Sequence, residues 1–338
     1  MGQVLKVRDG GKPFQSDAAG GVEGGSKRAG RARAEARASS AEPRASLYDE
    51  VTARIVAELE AGRFPWVQPW DSSVACPGLP RNAATGRSYS GVNVLILWGE
   101  VIAKGYANQG WLTFRQALAA GGCVRKGERG VTVCYADRFS PEAEKERAKA
   151  DGDEAKAVPF LKRFVVFNVA QCDGLPDQYH ADAPPLPERE QVPVAENLIP
   201  ATGADLRIGG ARAFYCPSGD FVSVPPQQAF RQQIDYYRTA LHELGHWTGH
   251  KSRLARTFGG RFGDSAYARE ELAAELASAF LCAALGIVPT VRHADYLGSW
   301  LEVLRADNRA IFKAASQASK AADYLLAFAD ADHARAAA

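Results

Sequence analysis

The sequence predicts an α+β fold that is divided into two domains. Residues 131–135 and 160–169 are rich in β-branched and aromatic side chains, whereas the C-terminal part carries long helical patterns. Between these parts, residues 181–195 are rich in Pro and Glu and have the composition of a linker. The 338 residues, 46% of them hydrophobic, suffice for two cores of ordinary size. We therefore expect a first domain at 46–180 and a second at 196–330.

The composition narrows the class of protein. The formal net charge of +2 is too small to indicate a nucleic-acid partner by itself, and six cysteines without a CxxC pair argue against a disulfide scaffold or a zinc ribbon. We find no secretory signal and no long apolar run, so we expect a cytoplasmic protein without a membrane partner. Residues 1–45, rich in Gly, Ala, Ser and Arg, are predicted to be a disordered basic tail, solvated rather than bound to phosphates.

The strongest chemical pattern is the motif His-Glu-Leu-Gly-His at 242–246. The preceding residues contain no proline, and apolar side chains recur at three and four residues, which predicts a helix. Residues four apart lie on one face of a helix, so His242 and His246 can both bind one metal ion. Glu243 lies beside that position and suits a general base that takes a proton from the attacking water. Gly245 costs a helix roughly 1 kcal/mol against Ala, so we expect another element to approach closely there.

A catalytic metal usually has three protein ligands, and the motif supplies two. A further helix, predicted from Tyr267, carries Glu271 and Glu275 four residues apart on one face, among alanines and leucines. We assign Glu271 to the metal and Glu275 to the other ring nitrogen of a ligand histidine, where carboxylates commonly act. Glu270 is interpreted as part of a solvated acidic face.

One further histidine, His250, lies close to the motif. It could replace Glu271 as third ligand, because it follows His246 by four residues. The outer two of three such histidines are about 12 Å apart along the helix axis, however, and rarely converge on one ion. We therefore expect His250 to lie outside the site. Ser252 stands where a longer three-histidine motif would have its last histidine, which excludes that motif.

The remaining elements are predicted from capping and turn signals. Ser46, followed three residues later by a carboxylate, begins a helix that Gly62 ends. A second helix is predicted from Thr113. The two β-rich segments of the first domain are expected to pair across an exposed excursion at 141–157. In the second domain, a hairpin is predicted around 217–219.

Aromatic and basic side chains alternate through the first domain. Single-stranded nucleic acid requires this mixture, because bases stack on aromatic rings while cations follow the phosphates. The candidate contact residues are Trp66, Trp70, Arg81, Arg87, Tyr89, Trp111, Arg125, Lys126 and Arg129. A core position is the alternative for each tryptophan, and we expect Trp98 to be buried, while residues 125–129 could equally form a solvated hairpin. From the residues alone, DNA binding and a structural role are supported about equally.

Several strings of the sequence together resemble one protein family. HELGHWTGH from His242 and YAREELAAELASAFLCA from Tyr267 resemble the C-terminal domain of ArdC-type antirestriction proteins. PWVQPW from Pro65, NAATGRSYSGVN from Asn82, VRKGERG from Val124 and FNVAQCDGLP from Phe167 resemble the N-terminal domain of the family, in the same order. The resemblance extends from residue 46 to residue 328.

The resemblance implies a fold, a cofactor and partners. It implies an α+β single-stranded-DNA-binding domain followed by an α+β zincin-like metallopeptidase domain, with Zn²⁺ or another divalent metal in the site. It further implies protection of incoming plasmid or other mobile DNA, with single-stranded DNA and either a protein substrate or a restriction enzyme as partners. In similar zinc peptidases, the edge of a strand beside the metal-binding helix holds an extended peptide.

Two other functions remain open for the sequence. The first is a DNA-binding protein whose metal is structural, and which would lose stability but no catalytic activity on metal removal. The second is a peptidase that acts on DNA-bound proteins and is targeted by the first domain. Its activity would depend on single-stranded DNA in a salt-sensitive way. Likeness of fold does not decide whether the peptidase is active.

Overall fold

The computed structural model has the expected α+β architecture. It describes residues 46–66, 78–139, 158–180, 192–230, 232–256, 264–288 and 296–336, together with residues 141 and 147. The predicted tail, nearly all of the predicted excursion and most of the predicted linker lie outside these residues. None of the described helices is both long enough and apolar enough to cross a membrane.

The N-terminal part contains short helices and a small mixed sheet. Its elements are α1 (Leu47–Glu60), β1 (Arg81–Asn82), α2 (Val92–Lys104), β2 (Gly110–Leu112), α3 (Phe114–Ala119), β3 (Cys123–Val124), β4 (Val131–Phe139), β5 (Val158–Asn168) and β6 (Cys172–Asp173). Four strands form a sheet in the order β1-β2-β5-β4, and β3 pairs with β6. Exposed aromatic side chains lie on this sheet and on α3.

Side-chain capping sets where two of these helices begin. The Ser46 hydroxyl accepts a hydrogen bond from the backbone N–H of Asp49, and the Asp49 carboxylate accepts one from the backbone N–H of Ser46. Thr113 and Gln116 make the same reciprocal pair at the start of α3. The chain leaves α1 through Gly62, whose φ of 72° is in the left-handed region. Both predicted starts and the predicted end are confirmed.

Strands β4 and β5 form a long antiparallel ribbon, as predicted. They pair from Val131 opposite Val166 to Phe139 opposite Val158. Strand β4 continues past its predicted end at 135, because backbone pairing persists where the apolar pattern gives way to charged residues. Helix α2 lies against the ribbon, where the Asn93 side chain donates to the carbonyl of Cys134 at 2.7 Å and accepts from its N–H at 2.8 Å.

The C-terminal part is mainly helical. Its elements are α4 (Pro193–Ala201), β7 (Asp205–Ile208), β8 (Phe214–Cys216), β9 (Phe221–Val224), α5 (Ile234–Trp247), α6 (Ser265–Ala284), α7 (Leu297–Ala306) and α8 (Ala310–Ala336). The strands form a sheet in the order β7-β9-β8, with β9 parallel to β7 and antiparallel to β8. Strands β8 and β9 are the predicted hairpin, and α4 begins inside the predicted linker.

Helix α5 begins at Ile234, later than the apolar pattern from Phe230 suggests. Phe230 has an extended backbone, with ψ of 140°, after a 3-10 turn at Gln227–Ala229. Its ring still packs edge-on against Tyr236, with 6.1 Å between centroids. The apolar pattern therefore begins four residues before the helix, because Phe230 packs into the same core without being helical.

The N-terminal and C-terminal parts share one core. Trp66 is fully buried and meets the ring of Trp300 on α7 at 5.8 Å between centroids. Trp98 on α2 is buried, as expected, and meets Phe280 on α6 at 5.7 Å. The chain from Ser46 onward accordingly forms one compact unit.

Trp66→Ala should lower the free energy of unfolding of this whole unit by about 3–5 kcal/mol, because it removes a fully buried indole between the two parts. The measurement is urea unfolding of the full chain, followed by circular dichroism. Phe164→Ala removes a ring that is 45% exposed and, as the control, should change the free energy of unfolding by less than about 1 kcal/mol. Two separate transitions, only one of them shifted by Trp66→Ala, would contradict a shared core.

Candidate metal centre

Helix α5 places the two histidines of the motif on one buried face. His242 is 2% exposed and His246 is 9% exposed. Their ring centroids lie 4.9 Å apart, as a spacing of four residues on a helix predicts. The helix is buried along nearly its whole length, so both imidazoles are largely shielded from bulk water.

Helix α6 brings a carboxylate to the same place. Oxygen atoms of Glu271 lie 3.6 Å from His242 Nε2 and 3.6 Å from His246 Nε2. Ligand atoms at about 2.1 Å from one tetrahedral metal ion stand about 3.4 Å apart. The three side chains offer ligand atoms that all lie within 4.8 Å of one another. They therefore fit a divalent metal ion and are the ligand set that the sequence predicts.

The small residue Gly245 permits the close approach of α6. A Cβ atom on Gly245 would lie 3.5 Å from the carbonyl oxygen of Ala274 and 3.5 Å from Cβ of Ala277. These are ordinary contact distances, so a methyl group would just fit, whereas a larger side chain would push α6 away. The expected close approach at Gly245 is confirmed, and it holds Glu271 at the distance that the site requires.

Each histidine has a second carboxylate at its other ring nitrogen. Glu275 lies 3.5 Å from His242 Nδ1, and Glu270 lies 3.1 Å from His246 Nδ1. A carboxylate at Nδ1 favours the tautomer whose Nε2 is free for a metal. The interpretation of Glu270 as a solvated residue is therefore wrong. Its side chain is only 10% exposed, because the guanidinium of Arg256, at 2.8 Å, compensates its charge.

These carboxylates set the protonation of the histidines when no metal is bound. Burial would lower the pKa of His242, but hydrogen bonds with Glu271 and Glu275 outweigh it and raise this pKa to about 9. Burial opposes the same change at His246, where Glu270 and Glu271 raise the pKa to about 10. Burial would also raise the pKa of Glu271, yet the two histidines hold it far below its usual range. Metal binding therefore requires the release of protons from the imidazoles.

Two further side chains lie beside the ligand set. Glu243 is 6% exposed, and its carboxylate has no hydrogen-bond or ion-pair partner within the described residues. The hydroxyl of Tyr267 lies 3.0 Å from that of Tyr296. Burial, followed by hydrogen bonds with Tyr296 and Glu271, raises the pKa of Tyr267, so its hydroxyl keeps its proton. Sequence reasoning missed Tyr267, although its position four residues before Glu271 on one helix face could have indicated it.

His250 lies outside the ligand cluster, as expected. Its Nδ1 is 2.7 Å from the hydroxyl of Ser252 and 3.8 Å from Asp220. The Asp220 carboxylate also accepts hydrogen bonds from Arg253, whose guanidinium stacks on the ring of Trp247 at 3.8 Å. These contacts fasten the β8–β9 hairpin to the end of α5.

Two of the three tryptophans assigned to base stacking, Trp66 and Trp111, do not lie on the surface. Trp66 and Trp111 are fully buried, and Trp111 meets the ring of Tyr106 at 6.1 Å between centroids. Bases cannot stack on buried rings, so the assignment of Trp66 and Trp111 is corrected: both are core residues. Trp70 lies outside the described residues.

The basic residues predicted to contact DNA differ in whether a carboxylate already pairs with them. Arg87, Lys126 and Arg129 are exposed, and in the described part of the chain no carboxylate pairs with them. Arg125 is also exposed, but its guanidinium donates to Glu128 at 2.9 Å and thereby holds its own turn together. Three of the four cations at these positions are therefore available to an anionic partner.

Two other candidates are partly buried. Arg81 lies in β1, opposite Gly110 of β2, and Tyr89 packs against the core. Burial raises the pKa of the Tyr89 hydroxyl, although a hydrogen bond with the Asn82 side chain opposes the change. Arg81 thus lies in the edge strand of the sheet, and Tyr89 has a structural role in the core.

Exposed apolar side chains lie on α3 instead. Phe114 is 49% exposed and Leu118 is 50% exposed. The ring of Phe114 meets that of Phe167 on β5 at 6.5 Å between centroids. Sequence reasoning missed these residues, although Phe114 and Leu118 are four apart on a helix that buries Ala117 on another face. That spacing was the signal that could have indicated an exposed apolar stripe.

Exposed cations lie on α3 and on two segments that contact its neighbourhood. Arg115 follows Phe114 and is exposed. Gly130, next to Arg129, lies so close to Phe167 that a Cβ would be 2.9 Å from its ring. The loop that carries Arg87 is joined to α3 through Asn82, whose side chain donates to that of Gln116 at 3.2 Å. We define the α3 surface as Arg87, Phe114, Arg115, Leu118, Arg129 and Phe167.

Two family models match the chain, one for each part of the fold. The model of the N-terminal domain of anti-restriction factor ArdC matches residues 45–167. The model of a zincin-like metallopeptidase matches residues 193–317 and so includes the ligand set.

The fold is similar to two crystal structures of the antirestriction ArdC protein from the R388 plasmid. The metal-free structure has a TM-score of 0.72 and 43% sequence identity, and the match covers 85% of this chain and 98% of that chain. The Mn(II)-bound structure has a TM-score of 0.69 and 43% identity, with 84% and 98% covered.

Curated proteins show the same likeness. An uncharacterized protein of Sinorhizobium fredii, y4eC, is 42% identical over 288 residues, which are 82% of this chain and 91% of that protein. Two Escherichia coli proteins named DNA primase TraC are each 40% identical, but the match spans only 28% and 20% of their lengths. Since both parts of the fold match their family models and nearly the whole of the solved protein aligns, this chain belongs to the family of ArdC antirestriction proteins, with a zincin-like domain as its C-terminal part.

Proposed function

We propose that this protein binds single-stranded DNA through its N-terminal part and hydrolyses peptide bonds at the metal centre of its C-terminal part. The observation that carries the peptidase half is the buried ligand set of His242, His246 and Glu271 with the unpaired Glu243 beside it. The α3 surface supports the DNA-binding half.

Zn²⁺ is the metal that we propose for His242, His246 and Glu271. Two histidines and one glutamate are a common catalytic zinc set, which leaves a position open for water. When bound, the ion would polarise the scissile carbonyl and lower the pKa of the attacking water. A solved relative holds Mn(II), so another divalent metal is the alternative.

Glu243 is proposed as the general base. Its carboxylate is next in sequence to a ligand and has no partner among the described residues, so it can accept a proton from water and pass it to the leaving amine. Tyr267, which keeps its proton, hydrogen-bonds to Glu271 and holds the orientation of that carboxylate. Glu275 holds the orientation of the His242 imidazole in the same way.

Strand β8 is proposed to bind the substrate. It is at the edge of its sheet, and β8 and β9 both pack against α5. An edge strand offers backbone N–H and C=O groups to which an extended peptide can add as a further strand. The contact between Asp220 and Arg253 holds the hairpin against α5, so a peptide on β8 would run beside the metal-binding helix.

The α3 surface is proposed to bind single-stranded DNA. Bases would stack on the exposed ring of Phe114 and on the partly buried ring of Phe167 beside it, while Arg87, Arg115 and Arg129 would follow the phosphates. Lys126 lies in the same turn as Arg129 and adds a further cation. Two relatives are named DNA primase TraC, which supports a nucleic-acid partner for this chain.

Glu243→Gln should lower peptide hydrolysis by about 100-fold or more, because general acid–base catalysis contributes about 10²–10⁴-fold. Its metal affinity should be unchanged, since Glu243 is not a ligand. Peptide hydrolysis is measured as cleavage of a fluorogenic peptide library by the zinc-loaded full chain. Metal affinity is measured by calorimetric titration with Zn²⁺. His242→Ala, as the comparison, should lose both. Undiminished turnover in Glu243→Gln would exclude Glu243 as the base.

Metal removal distinguishes a catalytic from a purely structural metal. A ligand at 100 times its Kd stabilises the folded state by about 2.7 kcal/mol, so chelation should lower the melting temperature of the full chain, and Zn²⁺ should restore it. The melting temperature of His242→Ala should not rise when Zn²⁺ is added. Restored stability without detectable hydrolysis of any peptide or protein would favour the structural alternative.

Phe114→Ala should weaken binding to single-stranded DNA by about 5- to 150-fold, because stacking of one base on an aromatic ring contributes about 1–3 kcal/mol. Fluorescence anisotropy with a labelled oligothymidylate measures the Kd across a salt series. Phe164→Ala is the matched control, since Phe164 is 45% exposed but lies on the opposite face of β5 from Phe167. Equal effects of the two substitutions would contradict binding at the α3 surface.

A further inference from the structure

Arg256 lies at the centre of a hydrogen-bonded cluster behind His246. Its Nη2 donates to the carbonyl of Gly245 at 2.6 Å, and its Nη1 donates to the hydroxyl of Thr248 at 2.7 Å. The same guanidinium donates to Glu270 through Nε at 3.1 Å and through Nη2 at 2.8 Å. The Arg256 side chain is only 5% exposed. A planar, fork-shaped cation with this many partners is held in one orientation.

Glu270 transmits that orientation to His246. One of its oxygens lies 3.1 Å from His246 Nδ1 and 2.8 Å from Arg256 Nη2. An ionised carboxylate only accepts hydrogen bonds, so Nδ1 of His246 must carry the proton. The other ring nitrogen, Nε2, lies 3.6 Å from Glu271, and once it has lost its proton it would present its lone pair to a metal ion.

The charges of the cluster show why an arginine is needed. Glu243, Glu270, Glu271 and Glu275 lie within or beside the ligand set, and all are at most partly exposed. The guanidinium of Arg256 pairs with one of them, Glu270, at 2.8 Å. When His246 binds a metal ion it no longer carries the extra proton, so without Arg256 the buried carboxylate of Glu270 would have no cation beside it, which is unfavourable, and its hold on His246 would weaken.

The backbone before Arg256 is shaped to deliver this side chain. Ala255 has a φ of 49°, in the left-handed region that residues other than glycine rarely adopt. The N–H of Ala255 donates to the carbonyl of His250 at 3.1 Å, and the N–H of Leu254 donates to that of Thr248 at 3.0 Å. The turn thereby leads the chain back to the end of α5, where the guanidinium contacts it.

We propose that Arg256 and Glu270 are a positioning pair that sets the tautomer and ring orientation of His246 for metal binding. The role rests on the proposed metal centre. Neither side chain touches the reacting atoms, so both act through His246. Glu275 lies 3.5 Å from His242 Nδ1 and contacts the other ligand histidine in the same way.

The test is calorimetric titration of the full chain with Mn²⁺ and with Zn²⁺. Glu270→Gln keeps the shape of the side chain but removes its charge, and Arg256→Lys keeps the charge but removes the two-pronged contact. Each should weaken metal binding by about 10- to 100-fold, the usual effect of removing a partner of a ligand histidine. In zinc-loaded samples with ¹⁵N-labelled histidine, the ring signals of His246 should shift in both variants.

Arg253→Lys is the matched control. Arg253 is also buried, with 8% of its side chain exposed. It also contacts a carboxylate, Asp220, and a backbone carbonyl at the end of α5, that of Trp247. The carboxylate of Asp220, however, lies near His250, which is not a metal ligand. Arg253→Lys should therefore lower the melting temperature as Arg256→Lys does, while its metal affinity stays that of the unsubstituted chain.

The outcomes separate this role from the metal centre itself. Wild-type affinity in both Glu270→Gln and Arg256→Lys, or an equal loss in Arg253→Lys, would overturn the positioning role and leave the metal centre intact. Absence of metal binding by the unsubstituted chain would overturn both. If Glu270→Gln does not fold, as judged by circular dichroism, the affinity of Arg256→Lys decides.

Discussion

The close packing of α5 on α6 is the constraint on which the rest of the site depends. A Cβ atom on Gly245 would meet Ala274 and Ala277 at ordinary contact distance, so α6 lies directly against α5 at this point. That approach brings Glu271 of one helix to the two histidines of the other. Neither helix holds a complete ligand set by itself, because residues on one helix face spread along its axis by 1.5 Å per residue. A short distance between helices therefore replaces a third ligand within the motif.

The charge at this junction is balanced by residues that come from outside the two helices. Burying carboxylates beside imidazoles is favourable only when each has a partner. The loop after α5 supplies Arg256 for Glu270, and Arg253 of the same loop ties the β8–β9 hairpin to the end of α5 through Asp220. One short loop thus connects the metal centre to the strand that we propose as the substrate-binding edge.

The N-terminal part contributes to the same framework. Phe280, on the helix that carries Glu271, packs against Trp98 of α2, and Trp66 packs against Trp300 of α7. These contacts explain why the tryptophans are core residues: they fill the junction between the two parts, where large apolar surfaces stabilise most. Exposed aromatic side chains lie elsewhere in the described residues, among them Phe114 on α3.

The sequence by itself determined the local features. The spacing of His242 and His246, the carboxylate at Glu271, the capping pair at Ser46 and the pairing of the β-rich segments all follow from helix and strand periodicity, which is a property of neighbouring residues. Only the tertiary structure decided which side chains are buried. From the sequence, Glu270 is predicted to be solvated and Trp111 to be available for stacking. In the structure, Glu270 pairs with Arg256 and Trp111 packs against Tyr106, and both partners come from other segments of the chain. Burial depends on what the rest of the chain packs against a residue, and periodicity carries no information on that.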